Sequence, residues 1–226
     1  MLERLPEEVK ENPKRFVVVP QTNLIISPYG YFVGRRYNLI EALQNLRDMG
    51  LEGSTIAEFM CYRTNLRKAA NDKIQLFYSD GTSVSRDQTV DMWDYISLKN
   101  RSKFEDRPCA TWLNGQFVKG SGFLELDLIT RRLQNGTLVN QRESLLEMCP
   151  EGWYVNVGSL NEQGLGTKKF TGHRYVKDRN FFQIPPCENG AAWFEMDSNG
   201  ADLECVANPE GSDIWRGIFA TVRLTN

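Results

Sequence analysis

Two stretches near the front of the chain repeat apolar residues at the period of a helix. Over residues 38–50, Leu39, Leu43, Leu46 and Met49 fall on one face. Asn38 stands where a side-chain oxygen can cap the free amides, Glu41 takes the reciprocal position, and Gly50 follows the last turn. Residues 55–69 repeat the design: Thr55 and Glu58 make a capping box, and Ile56, Phe59, Tyr62, Leu66 and Ala69 recur at helical spacing. The linker 51–54 is too short to put the two helices in separate domains. Ahead of them, β-branched and aromatic runs at 16–19, 24–26 and 29–33, punctuated by Pro20, Pro28 and Gly30, predict two or three short strands.

Beyond Lys73 the pattern turns irregular. Residues 117–128 alternate well enough for a strand, with Phe123, Glu125 and Asp127 opposite Leu124, Leu126 and Leu128. Residues 137–148 read as a third, shorter helix. After Pro150, glycine-rich turns separate short aromatic strands, and 217–224 reads as a closing strand. Ala201, Leu203 and Cys205 alternate with Asp202, Glu204 and Val206, so one face can enter a core while the other stays free; Ala220, Val222 and Leu224 repeat the inward pattern. Helices embedded in strand-rich sequence, without an internal repeat, predict one α+β domain over 1–226. It divides into a polar leader at 1–15, a long, irregular, insertion-rich middle at 73–186 and a C-terminal segment at 187–226.

Composition narrows the chemistry. With 226 residues, 41% hydrophobic and 25% charged, the chain can bury a real core and is not disordered throughout. Lys and Arg number 27 against 29 Asp and Glu, so no global basic field points to nucleic acid or an anionic membrane. The longest uncharged stretch, 16–34, is broken by Pro20, Pro28 and Gly30, and no membrane insertion is expected. The charged N-terminus has no apolar h-region, so no cleavable signal is expected; localisation stays open, association with a virion or cell surface included. The five cysteines, Cys61, Cys109, Cys149, Cys187 and Cys205, contain no C-x-x-C pair, which disfavours zinc-ribbon and thioredoxin-like sites. Cys187 and Cys205 can pair only if their strands are neighbours; free thiols in small apolar slots are the simpler reading.

Other motifs are weaker. Gly164, Gly166 and Gly172 with Lys168 and Lys169 faintly resemble a phosphate loop, but the Walker spacing is absent and a surface turn is expected. Asn135-Gly-Thr matches a glycosylation sequon. Glu125 and Asp127, two apart on a strand, share a face and could hold a metal or exchange protons, with the single histidine, His173, as a partner. A solvated strand face and a loop histidine are the simpler readings.

Several motifs follow one another in a telling order: Glu41-Ala42, Gly50, the Ser-Thr-Ile-Ala-Glu-Phe run at 54–59, Gly-Ala-Ala-Trp at 190–193, a stretch of mixed chemistry at 194–216, and Gly-Ile-Phe-Ala-Thr-Val-Arg-Leu at 217–224. Together they resemble the C-type lectin fold shared with formylglycine-generating enzymes, over roughly the first 70 and last 40 residues. Gly53-Ser54 stands where the family has Leu-Pro, and the closing strand is one residue longer and lacks Gly-Phe-Arg. Calcium-dependent lectins of this fold use Glu-Pro-Asn or Gln-Pro-Asp and a later Trp-Asn-Asp; here Asn208-Pro209-Glu210 has the wrong order and Arg216 follows Trp215. The enzymes need reactive cysteines or a histidine cluster, which a single histidine and scattered cysteines do not supply.

The placement of the mixed segment is similar to that in the variable proteins of diversity-generating retroelements, in which a reverse transcriptase rewrites C-terminal codons. That resemblance implies a non-enzymatic binding protein without cofactor or metal. Its surface would comprise Phe194, Glu195, Asp197, Asn199, Asp202, Glu204, Asp213, Trp215 and Arg216, with Trp193 turned inward. Trp215 and Arg216 are the expected anchors, because aromatics and arginine dominate interface energetics. The implied partner is a macromolecule, a protein on a cell or virus surface; the oligomeric state stays open. Two alternatives stand beside it: an enzyme of the formylglycine-generating type using the central segment, with Glu125, Asp127 and His173, and a structural subunit of a virion or surface assembly.

Overall fold

Side-chain caps start the three longer helices. In the computed structural model, residues 5–31, 38–97, 110–120, 122, 125–149, 152–176, 179–196, 200–207 and 216–224 are described. A short helix α1 (Glu7–Glu11) opens the chain and buries Val9. In α2 (Leu39–Asp48), Asn38 Oδ1 accepts from the Glu41 amide at 2.9 Å while Glu41 returns an acceptor to the Asn38 amide at 3.2 Å. Thr55 and Glu58 do the same for α3 (Ile56–Ala70), at 3.3 and 2.8 Å. Gly50, at φ +72°, then lets the chain leave α2 in a left-handed turn. A further helix, α4 (Arg86–Ser97), begins with the same device: Ser85 and Gln88 bond each other's amides at 3.2 and 3.0 Å. Among the described residues no helix is long and apolar enough to cross a membrane.

The strands are β1 (Val17–Val18), β2 (Leu24–Ile26), β3 (Glu52–Gly53), β4 (Phe77–Tyr78), β5 (Ala110–Lys119), β6 (Leu126–Gln134), β7 (Thr137–Ser144), β8 (Trp153–Asn156), β9 (Asn180–Gln183), β10 (Ala191–Met196), β11 (Ala201–Val206), β12 (Arg216–Ile218) and β13 (Ala220–Arg223). They form a smaller sheet, β3-β13-β2-β1-β4, and a larger one, β7-β6-β5-β10-β11-β9-β8, with β12 added in parallel to β5. The closing segment is therefore two strands in two sheets. The switch falls at Phe219, buried against Phe59, Tyr62 and Tyr95. Through β13 the end of the chain pairs antiparallel with β2 at its beginning, Val222 opposite Ile25.

The architecture is α+β, but the middle of the chain is not the irregular insertion expected. It supplies α4, β4 of the smaller sheet, and β5 to β9, most of the larger sheet. The helix expected at 137–148 is β7, because Asn135 (φ 50°) and Gly136 (φ 77°) form a tight turn that folds it back on β6 in full register, Gln134 opposite Thr137. The strand expected at 117–128 is cut between β5 and β6, with the Gly120 amide bonded to the Glu125 carbonyl at 2.8 Å.

Two buried clusters flank the centre of the larger sheet. Phe59, Tyr62 and Leu66 of α3 and Met92 and Trp93 of α4 meet Leu113, Ala192, Phe194 and Leu203. On the other side Leu39, Leu43 and Leu46 of α2 meet Trp112, Ala191 and Trp193. The central strands are thus covered on both faces.

Candidate ligand-binding surface

The β10–β11 hairpin carries most of the described residues expected to bind a ligand. Strand alternation sends Ala201 and Leu203 into the α3 cluster, fully buried, and leaves Asp202, Glu204 and Val206 half-buried on the α2 side. Trp193 stands opposite Glu204, and Glu195 opposite Asp202. Glu195 also pairs with Ala110 of β5, and Ala110 with Arg216 of β12. One transverse row across four strands therefore holds the positions Arg216, Ala110, Glu195 and Asp202. Directly opposed residues share a face, so Glu195 and Asp202 emerge together at the end of the sheet, both half-buried.

Two expected surface residues have other work. Phe194 is buried at 3% exposure and does not face outward. Its ring lies 5.1 Å from Phe59, 6.4 Å from Phe181 and under the Arg63 guanidinium at 5.5 Å. Trp193 is buried too, against Trp112 at 5.8 Å, as alternation on a sheet covered on both faces demands. Glu204 reaches back and accepts the Trp193 indole N–H in a short hydrogen bond, so it holds the tryptophan in place rather than pointing freely away. Asp197, Asn199, Asp213 and Trp215 lie outside the described residues, as does the Arg216 side chain.

The hairpin is closed from behind. Cys187 and Cys205 are free thiols with sulfurs 3.0 Å apart, and burial, together with the hydrogen bond to Cys187, pushes the Cys205 thiol up to about 12. Gly190 lies against both sulfurs, leaving no room for a side chain.

The side chains expected to serve an enzyme do not converge. Asp127 is bonded by Arg142 at 2.5 Å. His173 packs edge-on against Trp153 of β8, 4.8 Å between rings. Five strand steps separate β6 from β8 in the sheet, about 24 Å at normal strand spacing. Among the described residues no three His, Cys, Asp or Glu side chains meet in a metal-binding group.

Two concavities lie away from the hairpin. One, about 620 Å³, opens at the start of α3, but its arginines are engaged. Arg132 bonds Glu52 at 2.9 Å and Glu58 at 3.3 Å, Arg223 bonds Glu58 at 2.8 Å, and Arg142 holds Asp127. Burial alone would push the Glu58 carboxyl up; Arg132, then Arg223 and the Thr55 amide, outweigh it and hold it below the ordinary carboxylate range. Gly164, at φ +82°, lies so close to Ala57 that a Cβ would sit 2.7 Å from its amide nitrogen, which makes the glycine pair of the weak phosphate-loop motif a packing feature. The second cleft, about 830 Å³, is lined by Arg67, Lys68, Lys73 and Arg179, with no carboxylate among the described residues of its lining. Sequence reasoning missed it because its cations are scattered over more than a hundred residues of a chain with net charge −2. No protein-family model matches the chain, and neither curated proteins nor solved structures gave a significant match.

Proposed function

We propose that this chain is a non-enzymatic binding protein of C-type lectin-like fold, the variable protein of a diversity-generating retroelement. Its C-terminal hairpin and the segment leading into β12 present exchangeable side chains to a macromolecular ligand, a protein on a cell or virus surface. The observation that carries the reading is the division of labour in β10 and β11. Buried residues on the α3 side fix the strands, while Glu195 and Asp202 share one partly exposed row with the position of Arg216. The pairing of the last strand β13 with β2 near the start of the chain, with the capped helices α2, α3 and α4 between β2 and β5, supports a lectin-like layout.

Sequencing the DNA around the gene tests this reading. It requires a neighbouring reverse-transcriptase gene and a near-copy of the last codons differing mainly at adenines. Absence of both removes the retroelement from the account.

A further inference from the structure

We infer that the cleft between the end of α3 and the β8 edge of the larger sheet binds a small organic polyphosphate of nucleotide size. Helix α3 contributes Arg67 and Lys68 from its last turn, with Asn71 and Lys73 just beyond; Asn156 ends β8, Val157 and Gly158 form the turn after it, and Phe170 and Arg179 complete the wall. Among the described residues, every charged member of this lining is a cation. Cations in the last turn of a helix have an ordinary explanation, since they offset its dipole. That accounts for Arg67 and Lys68 but not for Lys73 or for Arg179, which arrives from a distant segment. The helix end contributes roughly half a negative charge, which the Lys68, Lys73 and Arg179 cations outweigh. The adjacent carboxylate, Asp72, is engaged by Arg86 at 2.9 Å and is not part of the wall.

Backbone bonds bring these groups to one rim. The Val157 amide donates to the Arg179 carbonyl at 3.1 Å, and the Asn156 amide to the Lys168 carbonyl at 3.2 Å. The second bond sets the Lys168-Lys169 pair beside the cleft, with Lys169 held over the Trp153 ring at 4.9 Å. The donors are of the kinds that phosphate oxygens recruit: guanidinium forks, ammonium groups and carboxamides. The half-buried Phe170 ring adds an apolar surface for the rest of the molecule. A volume of about 830 Å³ lies within the range of small-molecule sites, and Lys68, Lys73 and Arg179 on one cleft match a di- or triphosphate better than a lone carboxylate.

Calorimetric titration of the whole protein at low salt with inorganic triphosphate, ATP and a single-stranded oligonucleotide tests the site. Triphosphate and ATP should bind one per chain, competing with each other, and more weakly as salt rises. The double variant Lys73→Glu, Arg179→Glu changes two exposed positions; it should keep the parent's melting temperature and lose at least about tenfold in affinity for both ligands. The milder pair Lys73→Ala, Arg179→Ala should lose less, in the same order. The inference is overturned if triphosphate does not bind, if binding is indifferent to both variants, or if only the oligonucleotide binds.

Discussion

Glu58 closes the capping box of α3 with one carboxylate oxygen and receives Arg132 and Arg223 with the other, at 10% side-chain exposure. Its folded form prefers the charged state, so its acid constant lies below the unfolded value of about 4.5. Stability from this group is therefore fully present above that value and lost as pH falls through the lower, folded one. Glu58→Gln keeps the capping acceptor but leaves buried Arg132 with a partner fewer. It should cost about 3 kcal/mol at neutral pH, a fall in melting temperature of roughly 6–12 °C, and should flatten the loss of stability in acid. A variant as stable as the parent would contradict this. Phe194 gives a second test. Replacement by alanine should cost roughly 3–5 kcal/mol because the ring fills the space between Phe59 and Phe181. Asp202→Ala, on the neighbouring strand, should stay within about 1 kcal/mol. Urea unfolding of the two variants measures the contrast, and equal costs would contradict it.

At the scale of elements, local chemistry decides what can be read from sequence. Helices α2 and α3 are legible because cap, reciprocal Glu and apolar period coincide. Helix α4 has the same box in Ser85 and Gln88, but Thr89, Trp93, Tyr95 and Ile96, poor helix formers, mask it, and packing on α3 decides the outcome. Ser85→Ala should therefore lower stability by about 1 kcal/mol, visible as roughly 2–4 °C in a melting curve; no change would mean that packing alone starts the helix. Strand β7 was legible in principle. Asn135-Gly136 is a strong hairpin signal, but almost all of β7 is exposed, so it lacks the half-buried alternation that marks a strand. Burial of Phe194 was not legible. A period of two tells inside from outside only when one face of a sheet meets water, and here α2 and α3 cover both faces.

For the whole molecule, what no local pattern carries is the closure of the chain on itself: β13 joins β2, β12 joins β5, and a single residue, Phe219, separates them. This fixes the C-terminal strands to β2 near the start of the chain and to the centre of the larger sheet at once, and it leaves the hairpin row on a supported sheet. The proposed function requires that outward groups there be exchangeable on an unchanged scaffold. Replacing Glu195, Asp202, Asp213, Trp215 and Arg216 with serine in one variant, while keeping Phe194 and Glu204, tests it by calorimetric melting. Exchangeable groups, at about 0.5 kcal/mol each, predict one cooperative transition, lowered by less than about 10 °C. Loss of the cooperative transition would show that these groups hold the fold together, and would contradict the claim.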